Sequence, residues 1–166
     1  MPSKTSKMNT SKTNCSAEIV SRFAPAKSAA GLVYAPIGEG VEYRETRVYE
    51  LAFEGDSGAV QKFIREVLSD EHAQDAHFSD GTSSSPAIAD ATYFVDVSMK
   101  RNVLDLEKEY LLKYYRSLKD PGFSLEDLVI KRRIYIFGDA SVLPASQLER
   151  DLVNPVIQES VTSSVL

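Results

Sequence analysis

The stretch Tyr93–Met99, with the sequence YFVDVSM, decides the fold of this chain. Every second residue from Tyr93 onward is apolar, whereas Asp96 and Ser98 fall on the other side of an extended backbone. This alternation predicts a strand with one buried face and one polar face. A sheet built from such strands is covered on one side only, so its other face is expected to be solvated or to meet a partner.

Periodic segments on both sides of this stretch predict an α+β fold. From residue 91 onward the predicted order is β-α-β-α-β, and a separate β-α unit with a further strand precedes it. Gly55-Asp56-Ser57 and Asp105 offer helix N-caps, and Tyr115 lies on the buried side of its predicted helix. Helices on one face of a single sheet are expected. Strands are predicted over 46–53, 93–99, 128–137 and 156–165, and helices over 60–68, 105–118 and 144–153.

Composition limits the class of protein. The 166 residues are 43% hydrophobic and 26% charged, which is ordinary for a globular chain. No apolar run reaches the roughly 18–20 residues that span a bilayer, which predicts a soluble protein. Cys15, the single cysteine, cannot form an internal disulfide, so a reducing, cytoplasmic location is expected. A net charge of −5 disfavours general attraction to nucleic acid or to an anionic membrane.

The chain is expected to divide into a tail and a folded body. Residues 1–30 hold five Lys and Arg against one Glu, a charge of 5 − 1 = +4, which leaves −5 − 4 = −9 for the remainder. So few apolar side chains predict a flexible basic tail, placed at 1–42. A basic, Ser-rich N-terminus also suits an organelle transit peptide, the less favoured alternative. The predicted divisions are the tail, a first βα repeat unit at 43–78, a linker at 79–90 and a β-α-β-α-β unit at 91–166.

Two segments resemble each other within the chain. Arg47-Val48-Tyr49 and Arg133-Ile134-Tyr135 each open a hydrophobic strand that is followed by a Gly-Asp turn and a helix. Residues 68–75 align with residues 152–159 at the ends of those helices. The offsets are 86 residues at the strands and 84 at the helix ends. Two copies of one strand–helix unit are therefore predicted.

Three segments carry a family resemblance: 95–105 (VDVSMKRNVLD), 129–138 (VIKRRIYIFG) and 152–159 (LVNPVIQE). In this order they resemble the PurS-type small subunit of phosphoribosylformylglycinamidine synthase, and the matching N-terminal domain of the fused enzymes. The resemblance covers about two-fifths of the chain. It departs where the family has Pro and then Gly after the turn, since Leu106 and Glu107 stand there.

The resemblance implies a role without chemistry in de novo purine biosynthesis. Such a subunit bridges the glutaminase and the ATP-dependent synthetase parts of the ligase, so that ammonia passes between them; it has no cofactor of its own. The chain would be a free-standing subunit or the front part of a longer enzyme. In fused enzymes the corresponding region resembles two subunits joined together, so residues 43–78 would be the remains of a first copy. A homodimer or a pseudo-dimer is expected, without nucleic-acid or membrane partners.

The residues themselves offer no evident catalytic or metal site. His72 and His77 are five apart and do not share a helix face as a ligand pair would. No His or Asp pattern surrounds Cys15, so a nucleophile is not expected. The acids Glu107 and Glu109 suit the positive end of a helix dipole.

Interface residues are predicted instead. Tyr110 and Tyr114 are one turn apart on the same helix surface. In the basic run 131–133, strand alternation sends Arg132 to one face and its neighbours to the other. The candidate interface residues are Tyr110, Tyr114, Lys131, Arg133, Tyr135, Asn154 and Pro155.

Two other classes remain open at this stage. One is a ferredoxin-like regulatory domain that binds a small molecule and acts through dimerisation, with Gly138-Asp139 as the candidate turn. The other is an RNA-binding sheet, which is disfavoured because the strand 128–137 lacks the Gly of the usual aromatic motif and the body is acidic.

Overall fold

The computed structural model describes residues 11–82 and 85–165 of the chain. Within these ranges the fold is α+β, with one open, seven-stranded antiparallel sheet and three α-helices. The sheet order is β4-β1-β3-β6-β5-β7, and the short β2 pairs with β3. The strands are β1 Thr13–Ser21, β2 Lys27–Ser28, β3 Glu42–Gly55, β4 Gln74–Asp80, β5 Tyr93–Met99, β6 Phe123–Phe137 and β7 Gln158–Ser164. The helices are α1 Ser57–Phe63, α2 Leu106–Ser117 and α3 Ala145–Leu152.

Local signals place most of these elements as predicted. The strand β5 has the predicted bounds. The carboxylate of Asp56 accepts hydrogen bonds from two backbone N–H groups at the start of α1, and Asp105 accepts one from Lys108 N in α2. These bonds satisfy N–H groups that the first turn of a helix leaves without partners. The helix predicted to reach Leu68 is α-helical only to Phe63 and continues as a π-type turn over Ile64–Leu68.

The helices cover one face of the sheet through two hydrophobic clusters. Val60 and Phe63 of α1 and Ile64 of the π-type turn pack on β1, β3 and β6, and half-buried side chains of α2 join them. Leu148 of α3 packs on β5 and β6 together with residues of the segment between β1 and β3. No helix in the described ranges is long and apolar enough to cross a membrane.

The N-terminal region contains a strand of the sheet, so the prediction of a flexible tail is wrong for it. β1 lies between β3 and β4 and pairs antiparallel with both. Ala17 is fully buried and Ile19 is 4% exposed. Ala29 is buried in the second cluster, so the chain is also packed beyond β1. Residues 1–10 of the predicted tail lie outside the described residues.

Apart from the short β2, the sheet consists of two three-stranded halves, which extends the predicted repeat. In one half β1 lies between β3 and β4, and in the other β5 lies between β6 and β7. The turns that lead into the two outer strands have the same hydrogen bonds. Asp70 N donates to Gln74 Oε1 at 2.9 Å, and Asn154 N donates to Gln158 Oε1 at 2.9 Å. Both bonded residues of the second turn lie 84 residues after those of the first, which is the offset predicted at the helix ends.

The predicted strand offset of 86 is wrong by one residue. Gln74 pairs with Ser21, and its counterpart Gln158 pairs with Met99, so Ser21 corresponds to Met99. Counting back two residues in each strand matches Ile19 to Val97. Their ladder partners on β3 and β6 are Arg47 and Arg132, an offset of 132 − 47 = 85. Arg47 also pairs directly with Arg132, so the axis relating the halves passes there. A slip of one residue exchanges the two faces of a strand. Arg47 therefore corresponds to Arg132 and not, as predicted, to Arg133.

Truncating Ile19 tests whether β1 belongs to the folded body. We expect Ile19→Ala to lower the free energy of unfolding by about 2–5 kcal/mol, because it leaves a cavity between β1 and α1. Lys12→Ala, at an exposed position just before β1, should change it by less than about 0.5 kcal/mol. Urea unfolding followed by circular dichroism measures both. Equal, near-zero effects would mean that residues 13–21 are not part of the folded body.

Candidate interaction surface

Helix α2 is held on the sheet along one side only. Leu111, Leu112 and Tyr115 are half-buried against the first hydrophobic cluster, which confirms the predicted buried side. The Tyr115 hydroxyl donates to Phe123 O at 2.7 Å and accepts from Leu125 N at 3.0 Å. These bonds satisfy backbone groups of β6 where it extends beyond its pairing with β5. No residue of α2 is fully buried.

The opposite side of α2 exposes large apolar side chains. Leu106 is 73% exposed, Tyr110 71% and Tyr114 42%. They follow at i, i+4 and i+8 and so form one row along the helix, which we call the α2 stripe. Leu104, just before the helix, is 65% exposed. A contiguous exposed apolar row of this kind is typical of an interaction site. The sequence predicted both tyrosines; Leu106, which precedes Tyr110 by one turn, carried the same signal and was missed.

Charged residues flank the α2 stripe. Glu107 is engaged within the chain, since its carboxylate lies 3.0 Å from Arg47 and accepts a hydrogen bond from the Tyr49 hydroxyl at 3.4 Å. Burial first, and then the charge of Glu107, raise the pKa of Tyr49 to about 12. Glu109 and Lys113 are exposed and one turn apart, and neither has an ion-pair partner among the described residues.

The other face of the sheet holds a buried polar cluster, the Arg133 network. Arg133 binds both carboxylate oxygens of Asp96, at 2.7 and 2.8 Å, and Glu18 Oε2 at 2.8 Å. The second oxygen of Glu18 accepts from the hydroxyls of Thr46, at 2.7 Å, and Tyr135, at 2.6 Å. The guanidinium carbon also lies 4.2 Å from the ring centroid of Phe94. Charge-assisted and bidentate bonds of this kind fix a single arrangement of side chains.

Burial and charge act together on the titration of this network. Arg133 is 2% exposed and Glu18 fully buried. Burial alone would lower the pKa of Arg133, but hydrogen bonds to Asp96 and the charges of Asp96 and Glu18 outweigh it and hold that pKa above its ordinary range. Burial, followed by the hydrogen bond to Glu18, raises the pKa of Tyr135 well above its usual value. The guanidinium therefore stays charged and the phenol stays protonated.

The linker covers the centre of this second face. Ala87 N donates to Glu18 Oε2 and to the Tyr135 hydroxyl, each at 3.0 Å. Ile88 is 7% exposed and packs with Val20 and Phe94. The alternation of apolar and polar residues predicted a sheet covered on one face only. That prediction is wrong, because the linker covers the centre of the second face. Arg133 and Tyr135, predicted as interface residues, are buried by the chain's own linker and offer no surface to a partner.

The remaining predicted interface residues lie on elements other than α2. Lys131 points to the face opposite the helices and pairs with Glu50 on β3. Asn154 and Pro155 are exposed in the turn before β7. The Asn154 side chain accepts from Val156 N at 3.1 Å, so it shapes that turn. Only Tyr110 and Tyr114 share a continuous exposed row.

The residues weighed for chemistry lie apart from one another. His72 and His77 are exposed, and the described residues contain no group of three or more His, Cys, Asp or Glu that could hold a metal ion. Cys15 is half-buried on β1, where burial and then the charge of Asp80 raise the pKa of its thiol to about 11. At the Gly138-Asp139 turn, Asp139 accepts a hydrogen bond from Ser141 N at 2.8 Å.

Comparison with known proteins gives no match to a family model, a curated protein or a solved structure.

Replacing Arg133 tests the network. We expect Arg133→Met to lower the free energy of unfolding by about 3–5 kcal/mol, because it leaves two buried carboxylates without their cation. Arg132→Met is the matched control: Arg132 lies on the helix side, is 37% exposed and pairs with Glu45, so its loss should cost about 0–1 kcal/mol. Chemical denaturation measures both, and equal effects would mean that Arg133 is not buried among these acids.

The thiol of Cys15 offers a test of β1 in solution. Since its pKa is about 11 instead of 9.0, the thiolate fraction near pH 8 should be about a hundredfold smaller than in the unfolded chain. We expect labelling by iodoacetamide to be slower by at least that factor in the native protein than in urea. Equal rates would contradict the burial of Cys15.

Proposed function

We propose that this chain is a non-catalytic bridging subunit, or the N-terminal domain, of phosphoribosylformylglycinamidine synthase. It would hold the glutaminase and the ATP-dependent synthetase parts together. The observation that carries the proposal is the duplication: one chain contains two three-stranded halves, joined by the pairing of β3 with β6. A doubled unit in one chain is what the resemblance to the fused enzymes implies.

The positions of the resembling segments support the proposal. Residues 95–105 form most of β5 and the turn whose last residue, Asp105, caps α2. Residues 129–138 include most of β6, and residues 152–159 lead from α3 into β7. The second half therefore has the order β-α-β-α-β that the resemblance implies.

The physical task suits a rigid scaffold. Ammonia that escapes into water near neutral pH is protonated and loses its nucleophilicity, so two active sites that share it must be held in register and closed to solvent. A sheet packed by helices on one face and by the chain's own linker on the other suits such a role. The outer edges of β4 and β7, which lack strand partners in the described residues, remain open for contacts.

Reconstitution tests the proposal. The purified chain is mixed with the glutaminase and synthetase polypeptides of the same organism, and product formation is measured with glutamine or with free ammonium as nitrogen source. We expect glutamine-supported activity to require the chain and ammonium-supported activity to be independent of it.

Size-exclusion chromatography of the same mixture supplies the physical readout. Co-elution of all three polypeptides is expected, and the Arg133→Met variant, which perturbs the scaffold without touching exposed surface, should weaken it. Full glutamine-supported activity without the chain, or the absence of any complex, would overturn the proposal. A complex that forms without changing nitrogen transfer would also overturn it.

A further inference from the structure

We propose that the α2 stripe docks against the same stripe of a second copy of this chain, with the two helices antiparallel about a two-fold axis. This inference concerns the isolated chain and does not rest on the bridging function. The occupant of the surface is argued from the order of side chains along α2 and from their charges.

The row of apolar side chains is self-complementary. In an antiparallel pair centred on Tyr110, the Leu106 side chain of one copy faces Tyr114 of the other, and the two Tyr110 rings meet near the axis. Each exposed group thereby finds an apolar partner, and one patch per copy is sufficient because a two-fold interface uses the same surface twice. Tyrosine suits this position, since its ring is buried while its hydroxyl can remain at the wet rim.

The flanking charges agree with this arrangement. Glu109 and Lys113 lie on the same side of the stripe, one turn apart. In the antiparallel pair Glu109 of each copy lies beside Lys113 of the other, which creates two reciprocal ion pairs. A parallel pair in register would instead place the Glu109–Lys113 flanks of the two copies on opposite sides of the interface, so these reciprocal ion pairs could not form.

The charge of α2 favours a second copy of this chain over a strongly charged partner as the occupant of the α2 stripe. The helix carries Lys108, Lys113 and Arg116 against Glu107 and Glu109, a net charge of 3 − 2 = +1, while the whole chain carries −5. Two acidic copies can therefore approach through this helix without the like-charge repulsion that other surfaces would bring. The nearly balanced charge offers little to a highly basic or acidic partner.

Sedimentation of the full chain across roughly 1 to 300 μM tests the inference, because a small interface of this type dissociates in the micromolar range. Wild type is expected to pass from monomer to dimer with rising concentration. Tyr110→Ala should raise the dissociation constant at least tenfold. Glu71→Lys, at an exposed position in the turn before β4, is the matched control for the Glu109→Lys variant described below and should leave dimerisation unchanged.

Charge exchange tests the antiparallel geometry. Glu109→Lys and Lys113→Glu, each alone, bring like charges together at both reciprocal contacts and should weaken dimerisation about tenfold or more. The double variant restores both pairs and should return to within about threefold of wild type. An equimolar mixture of the two single variants should form a mixed dimer more tightly than either variant alone.

Three results would overturn the inference. One is a wild-type chain that remains monomeric over the whole range. Another is a dimer that Tyr110→Ala does not weaken, which would move the interface elsewhere. The third is a double variant as weak as the single ones, which would exclude the reciprocal pairs. Circular dichroism of each variant separates loss of dimerisation from loss of folding.

Discussion

The pairing of β3 with β6 holds the molecule together. The ladder runs from Glu42 opposite Phe137 to Gly55 opposite Phe123, with one irregularity after Ala52. Without it, each half would be a three-stranded sheet with a long open edge, which is prone to aggregation. At the axis the ladder places Arg47 beside Arg132, and the like charges of the two side chains repel each other. Glu107 and Glu45 offset this repulsion, because each forms an ion pair with one of the two arginines.

The Arg133 network gives the second face its definite structure. It joins four strands, since Glu18 comes from β1, Thr46 from β3, Asp96 from β5, and Arg133 and Tyr135 from β6. Through Ala87 it also fixes the linker that connects the two halves. No buried side-chain polar atom in the described residues lacks a hydrogen-bond partner. A buried network with every member satisfied favours one arrangement over its alternatives, and here it turns a polar sheet face into an interior.

The sequence predicts what depends on neighbours along the chain. The alternation in Tyr93–Met99 and the caps Asp56 and Asp105 are local signals, and the structure agrees with each. β1 could not be recognised in the same way, because Glu18 interrupts its apolar pattern and is tolerated only through Arg133, 115 residues away. The exposure of Tyr110 followed from helical spacing.

The burial of Arg133 and Tyr135 did not follow from the sequence, since it depends on a linker whose Ser and Gly content indicates a loop but not the surface on which that loop lies. The repeat, by contrast, was visible in the sequence because its turns are formed by neighbouring residues, and Asp70 and Asn154 mark them. The strand register is set by pairing between distant segments, so an alignment of the sequence alone missed it by one residue.

Amide hydrogen exchange on the intact chain measures the central claim, a single duplicated body that includes β1 and the linker. We expect amides of β1 to exchange as slowly as those of β3 and to share one opening free energy with them, and the amide of Ala87 to be protected well beyond that of a free loop. Exchange of Thr13–Ser21 at the rate of an unstructured peptide, while β3 and β6 remain protected, would contradict it.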